Sequence, residues 1–388
     1  MLFHRTPLAW SNLTYRKRRL ITALAGVSFA VLLMFMFKGF ENAYYDSQIQ
    51  LLQKLNGEIL MVNRIKYTMF VPEQFARRRL YQAQAFDGIV AAYPIYIADG
   101  NWKNPDTKAV HPLRVLAINP QDPVLSIPQI LQHQQDLQLP WTTLIDDKSK
   151  DDIGLRQAGV VTELSEKHIR SVGTFSLGTD FASGNGNIIM SDQNFLRYFS
   201  NVEEGKRGKS LNAVDIGVLK VAPDKNVDAL AQALRQQLPK DVAVWTKAEF
   251  IDKEKNYWRD NTQIGYIFAL LASMSFVVGV ILVYQILYTD VADHWAEYAT
   301  LKAMGYSDLF LLGIVVQESL ILAGLGFVPG LAMSLGLYSL TANATGLFMQ
   351  LTLDRAFAVL VATFAMCLIS GAIAVRKILA NDPAEVFS

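Results

Sequence analysis

The sequence predicts a membrane protein of four transmembrane helices, with a large α+β domain of two lobes inserted between helices 1 and 2. Three observations carry that reading. Four apolar stretches are each long enough to cross the roughly 30 Å of hydrocarbon that about 20 helical residues span. Charge avoids those stretches: residues 41–260 hold 26 Lys and Arg and 27 Asp and Glu, 53 of the chain's 71 charges, while the other 168 residues hold 18. Within 41–260, short runs of alternating polarity stand beside runs of helical period.

The overall hydrophobic content, 51%, is high for a soluble chain and low for a polytopic one, as expected when both parts are averaged. For the same reason the net charge of +1 says nothing in favour of nucleic acid as a partner. The single cysteine, Cys367, lies in an apolar stretch, so the water-soluble part cannot be stapled by disulfides.

The first span is assigned to 20–40, whose core Leu20–Phe37 is uncharged. The second is 261–289 and also lacks charge; the third is 309–340, with Glu318 as its charge; the fourth is 356–375. Arg16-Lys17-Arg18-Arg19 precedes the first span and Arg376-Lys377 follows the fourth. By the positive-inside rule both ends are cytoplasmic, in agreement with an even number of spans. Residues 1–19 then form a cytoplasmic amphipathic helix, with Leu8 and Trp10 in the headgroup zone. Phe35-Met36-Phe37-Lys38 offers no small-residue cleavage site, so the first span is expected to stay as an anchor.

Residues 41–260 become an external domain. Glu41–Lys54 and Ala248–Asp260 read as helical stalks that extend spans 1 and 2. Between them Ile59–Val62, Ile95–Ile97 and Leu113–Ile118 read as strands, and Glu73–Ala83 and Asp192–Phe199 as helices. Val214–Val221, Asn226–Leu238 and Val242–Trp245 form a strand–helix–strand unit. A Pro- and Gln-rich stretch around Pro120–Pro140 suggests the join between two lobes. Residues 341–355 make a short external loop and 376–388 a cytoplasmic tail.

The remaining loop, 290–308, is trapped between spans 2 and 3. Its core, Ala296-Glu297-Tyr298-Ala299-Thr300-Leu301-Lys302-Ala303-Met304-Gly305, is a short run of helix formers closed by a glycine able to take the left-handed conformation. Polar residues are present, but none is paired for chemistry. A small helix that docks on a partner is the natural reading.

Other signals are weaker. Gly205-Lys206-Arg207-Gly208-Lys209-Ser210 ends like a phosphate-binding loop, but Glu203 stands where the motif needs its first glycine, so a polar turn is the better reading. The five histidines show no metal-ligand spacing. His111-Pro112 reads as a surface turn, Arg77-Arg78-Arg79 as a solvated helix face, and Asn185-Gly186-Asn187 as a hairpin turn. No nucleophile–base constellation is visible, and ATP hydrolysis by a phosphate-binding loop is excluded.

In the third span, Gln317 and Glu318 are polar at a depth where ionisable groups are expensive. Two readings of Glu318 stay open: hydrogen bonding within the bundle, or a part in moving the helices. Gly326 and Gly330, and Ala332 and Gly336, each four residues apart, fit the small-xxx-small pattern of packed transmembrane helices. They are expected to pack a homodimer, because four spans make a thin bundle.

One span, a large external domain and three further spans is a layout that resembles the MacB/FtsX-type permeases of ABC transporters. Glu297 through Gly305 is similar to that family's cytoplasmic segment after the second span, and Ala380-Asn381-Asp382-Pro383-Ala384-Glu385-Val386-Phe387 to its C-terminal tail. Phe75–Ala83, Tyr284–His294 and Ile369–Lys377 resemble most the DevC-type permeases, which serve a cyanobacterial glycolipid exporter.

The resemblance implies a non-catalytic plasma-membrane subunit, without cofactor of its own, that works by mechanotransmission. ATP and Mg would reside on a partner ATPase of the DevA type. A second copy of this chain, a periplasmic adaptor of the DevB type, a TolC-like outer-membrane channel and the bilayer complete the set of partners. It further implies that Asp293, Glu297, Leu301, Lys302, Ala303, Met304 and Gly305 couple to the ATPase. Relatives that regulate a cell-wall hydrolase or release lipoproteins share the layout and remain alternatives.

Overall fold

A computed structural model describes residue 10 and residues 17–69, 71–180, 183–200, 208–345 and 349–379. Apart from Trp10, the expected interfacial helix up to Tyr15 lies outside the described residues, as do the tail from Ala380 and the first part of the Gly205–Ser210 turn. The chain forms two compact units. Met1–Ala43, Gln263–Ala344 and Met349–Ser388 make one, and Tyr44–Thr262 with Thr345–Phe348 the other.

The second unit is built on strands β1 (Ile59–Asn63), β2 (Phe75–Ala76), β3 (Ile89–Lys103), β4 (Val110–Ile118), β5 (Thr142–Asp146), β6 (Val161–Leu164), β7 (Lys167–Phe175), β8 (Asn187–Ser191), β9 (Ala213–Val214), β10 (Ile216–Val221) and β11 (Val242–Thr246). Nine of them form a single mixed sheet in the order β11-β1-β10-β3-β4-β8-β5-β7-β6, and β2 pairs with β9.

Successive side chains of a strand point to opposite faces, and here both faces are buried. Ile59, Met61, Tyr96, Ala98, Val115 and Leu219 belong to one core, covered by helices Arg78–Gln84, Asp192–Phe199 and Val227–Gln237. Leu60, Val62, Ile95, Leu116, Ile189 and Val218 belong to the other, covered by Leu51, Leu52, Ile130 and Phe250 from helices Gln50–Lys54, Pro128–Gln132 and Lys247–Asp260.

The expected two lobes are therefore not separate units. Strand β3 pairs with β10 through Ile95 and, from Tyr96 onward, with β4, so one strand belongs to both halves.

Local chemistry explains three of the helix starts. The Asn226 side chain accepts the Ala229 amide at 3.0 Å, and Ser191 accepts that of Asn194 at 3.2 Å. Thr246 and Glu249 form a reciprocal capping box at the start of Lys247–Asp260. Three sequence expectations are corrected. The stretch 73–83 opens as strand β2, because Phe75 pairs with Val214, and only Arg78–Gln84 is helical. His111 and Pro112 lie in β4, opposite Trp102 and Asn101. Asn185-Gly186-Asn187 does not turn a hairpin, since Asn187 opens β8, which runs parallel to β4.

Among the described residues four helices are long and apolar enough to cross a bilayer, with spans Leu20–Gln48, Gln263–Asp293, Leu309–Thr341 and Leu353–Arg376. Their packing corrects the reading of the third span's glycines. A Cβ on Gly326 would stand 2.5 Å from Val27 Cγ1, and one on Gly330 would stand 2.7 Å from Val31 Cγ1. Ser28 Oγ donates to the Gly326 carbonyl at 3.0 Å. These two glycines are needed for contact with the first span of the same chain. Ala332 and Gly336 are exposed instead, and nothing lies within 4 Å of a Cβ on Gly336.

Candidate coupling site

The loop after the second span folds as the short helix Trp295–Ala303. His294 separates it from Gln263–Asp293 with φ −98° and ψ 13°, and its ring Nδ1 lies 2.9 Å from the Asp290 carbonyl. Tyr298 and Ala299 are buried. Tyr298 joins Val291, Leu311, Ile314, Val315 and Val375 in a small core, against which Trp295 and Leu301 pack. The helix is thus seated on the ends of its neighbours rather than tethered loosely between them.

Its C-terminus closes as the glycine predicts. Gly305 has φ +93°, the Tyr306 amide donates to the Leu301 carbonyl at 3.1 Å, and the Gly305 amide to that of Lys302 at 3.0 Å. This pair of bonds is the Schellman closure, which satisfies the last carbonyls of the helix.

The expected coupling residues separate by burial. Asp293, Glu297, Met304 and Gly305 are exposed, and Lys302 is half-buried. Glu297, Thr300 and Met304 are exposed at i, i+3 and i+7, which places them on one face of the helix. Leu301 is half-buried against the core and helps to hold the helix in its seat. Ala303 closes the helix.

Sequence reading missed the apolar rim that follows. Met304 is 63% exposed and Leu309 78%, and the exposed rings of Tyr306 and Phe310 lie 4.7 Å apart, tilted by 32°. These side chains border the face that carries Glu297, and Leu309 and Phe310 already belong to the start of the third span. The signal was present as Tyr306, Leu309 and Phe310 in a polar loop, but the last two merged into the third span.

Deeper in the membrane unit the two polar neighbours part. Gln317 is exposed, while Glu318 is fully buried next to buried Ser319, whose hydroxyl donates to the Val316 carbonyl at 2.8 Å. Among the described residues no group of three or more His, Cys, Asp and Glu is arranged to hold a metal.

Residues 269–383 match the family described as FtsX-like permease C-terminal. This part of the chain is similar to the C-terminal domain of FtsX-like permeases. The match begins within the second span and takes in helix Trp295–Ala303, the third span and the fourth. No curated protein matches the chain.

Among solved structures, the periplasmic region of MacB from Actinobacillus actinomycetemcomitans is similar over 52% of this chain and 94% of its own, at 11% identity and a TM-score of 0.36. The extracellular domain of the noncanonic ABC-type transporter YknZ from Gram-positive bacteria is similar over 49% and 98%, at 8% identity and 0.31. A permease-protein domain from Porphyromonas gingivalis is similar over 49% and 86%, at 10% identity and 0.30.

Proposed function

We propose that this chain is the membrane subunit of a tripartite ABC exporter, driven by a separate ATPase that docks on helix Trp295–Ala303. One observation carries the reading: within the part similar to FtsX-like permeases, a short helix is seated by Tyr298 and Ala299 and presents Glu297 and Met304 outward. Both chain ends and this helix lie in the cytoplasm, and residues 44–262 lie in the periplasm. The positive-inside signal of Arg16–Arg19 and Arg376-Lys377 supports that orientation.

ATP binding and hydrolysis on the partner displace the docking helix. Because the helix shares a core with Leu311, Ile314, Val315 and Val375, a push on it reaches the third and fourth spans directly. Glu318 is buried and the spans carry few other polar residues, which favours a mechanical role over conduction. The chain acts as a homodimer, with a periplasmic adaptor and an outer-membrane channel completing the route. The three stretches that resemble DevC-type permeases favour a lipid-like cargo such as a glycolipid.

Gentle purification of the tagged chain tests this. Recovery of an ABC ATPase together with a membrane-fusion adaptor is expected. An ATPase accompanied by a cell-wall hydrolase or a lipoprotein carrier, and no adaptor, would replace the exporter reading with a regulatory or lipoprotein-releasing one.

A further inference from the structure

The loop after β1 is inside out. Along Arg64-Ile65-Lys66-Tyr67-Thr68, the lysine is 1% exposed and the threonine 1%, while Ile65 is 68% exposed and Tyr67 52%. Water selects the opposite arrangement, since a lysine is almost never fully buried and carries a large desolvation cost. Here the fold accepts a buried ammonium and leaves two apolar side chains outside.

The loop is also firmly held, so the exposure is built in. The Ile65 amide donates to Asn63 Oδ1 and the Lys66 amide to the Asn63 carbonyl, both at 3.0 Å. The Met69 amide donates to Glu254 Oε2 at 3.0 Å, and Lys253 Nζ to the Lys66 carbonyl at 3.4 Å. The ring of Tyr67 lies 5.2 Å from that of Tyr257. Glu254, Lys253 and Tyr257 all belong to helix Lys247–Asp260.

Strand register says which end of the domain this is. β11 is antiparallel to β1, with Thr246 beside Ile59 and Val242 beside Asn63. Helix Lys247–Asp260 starts at the Ile59 end and runs back toward the Asn63 end, where the loop leaves. From there the chain needs only Asn261 and Thr262 to reach Gln263, the first residue of a span. Tyr257 is therefore within about 15 Å of that span's start, from a helical rise of 1.5 Å per residue and an extended limit near 3.6 Å. Aromatic residues crowd the same level: Tyr257 packs on Trp258 at 5.9 Å, and Trp258 on Tyr44 at 6.0 Å. Tyrosine and tryptophan at the ends of spans are characteristic of the membrane–water interface.

We propose that Ile65 and Tyr67, with Tyr257, anchor this end of the domain in the headgroup region of the outer leaflet, with exposed Arg64 set against lipid phosphate. The occupant of this surface is the bilayer itself. The inference rests on the four spans and on the orientation proposed above, and not on which ATPase or adaptor the chain serves.

The test uses the full chain, with Cys367→Ala as background, in vesicles of phosphatidylethanolamine and phosphatidylglycerol. A nitroxide is attached at Ile65→Cys and, separately, at Tyr67→Cys. Tyr266→Cys, exposed on the second span, is the lipid reference. Val90→Cys, exposed near the far end of β3, is the aqueous one. The ratio of collisions with oxygen to those with a nickel chelate is expected to be several-fold higher at 65 and 67 than at 90, approaching that at 266. A ratio equal to that at 90 overturns the anchor. Protection from both reagents also overturns it, and assigns the loop to a protein contact or a second copy.

Discussion

Glu254 shows how single residues set the behaviour of this molecule. Its side chain is 2% exposed, accepts Trp258 Nε1 at 2.9 Å and holds the Met69 amide. Burial pushes its pKa up from 4.5 to about 7; the two hydrogen bonds and Lys253 pull it down, and Asp180 adds to the rise. A raised carboxyl means that the folded state binds the proton more tightly than the unfolded state. Its contribution is fully present below pH 4.5 and is lost as the pH rises through about 7. Glu254→Gln should therefore flatten the pH dependence, removing up to about 3 kcal/mol of stability change between pH 4.5 and 8 at 1.36 kcal/mol per unit. Thermal unfolding at the two pH values checks it; an unchanged slope in the variant would place the titration elsewhere.

Nothing in one dimension marks Glu254, which is one acid in a charged helix. The same holds for a second buried cluster. Arg114 Nη1 lies 2.7 Å from Asp180 Oδ2, Arg114 Nε donates to Asn187 Oδ1, and Asn187 Nδ2 donates to Asp146 Oδ2, both at 2.9 Å. These partners are brought together by β4, β5 and β8, and no spacing rule reaches across such separations.

At the scale of elements the sequence was more readable, because caps and turns are local. Asn226, Thr246 with Glu249, and Gly305 each closed or opened a helix where their chemistry demands. The Gly326–Gly330 motif was readable as close packing but not as to its partner, since a small-residue stripe says only that another backbone comes near. The partner is Val27 and Val31 of the first span. Gly326→Leu should therefore destabilise the chain itself by about 1–3 kcal/mol, the usual cost of overpacking. Val27→Ala should recover part of the loss in detergent thermal unfolding. Unchanged stability together with a dissociated oligomer would return the glycines to a surface between copies.

For the molecule as a whole, the distribution of charge between residues 41–260 and the rest was enough to separate membrane from water-soluble parts. The division into lobes was not legible, because the sequence marked only Ile95–Ile97 of a strand that runs for 15 residues in the fold and joins both halves. A sheet with both faces buried and one strand shared by its halves should unfold as one unit. Hydrogen exchange should give β1, β10 and β4, β8 the same limiting protection in global opening; two distinct levels would mean that the halves open separately. The docking role proposed for helix Trp295–Ala303 is tested at Glu297. Glu297 is exposed on a seated helix, so Glu297→Lys reverses the charge of the docking face while leaving the packing of Tyr298 and Ala299 in place. The most direct measurement is the amount of ATPase that copurifies with wild type and with Glu297→Lys at equal yields of folded permease. The account predicts loss of the ATPase from the variant, with an unchanged thermal transition. Full recovery of the ATPase with the variant would contradict it.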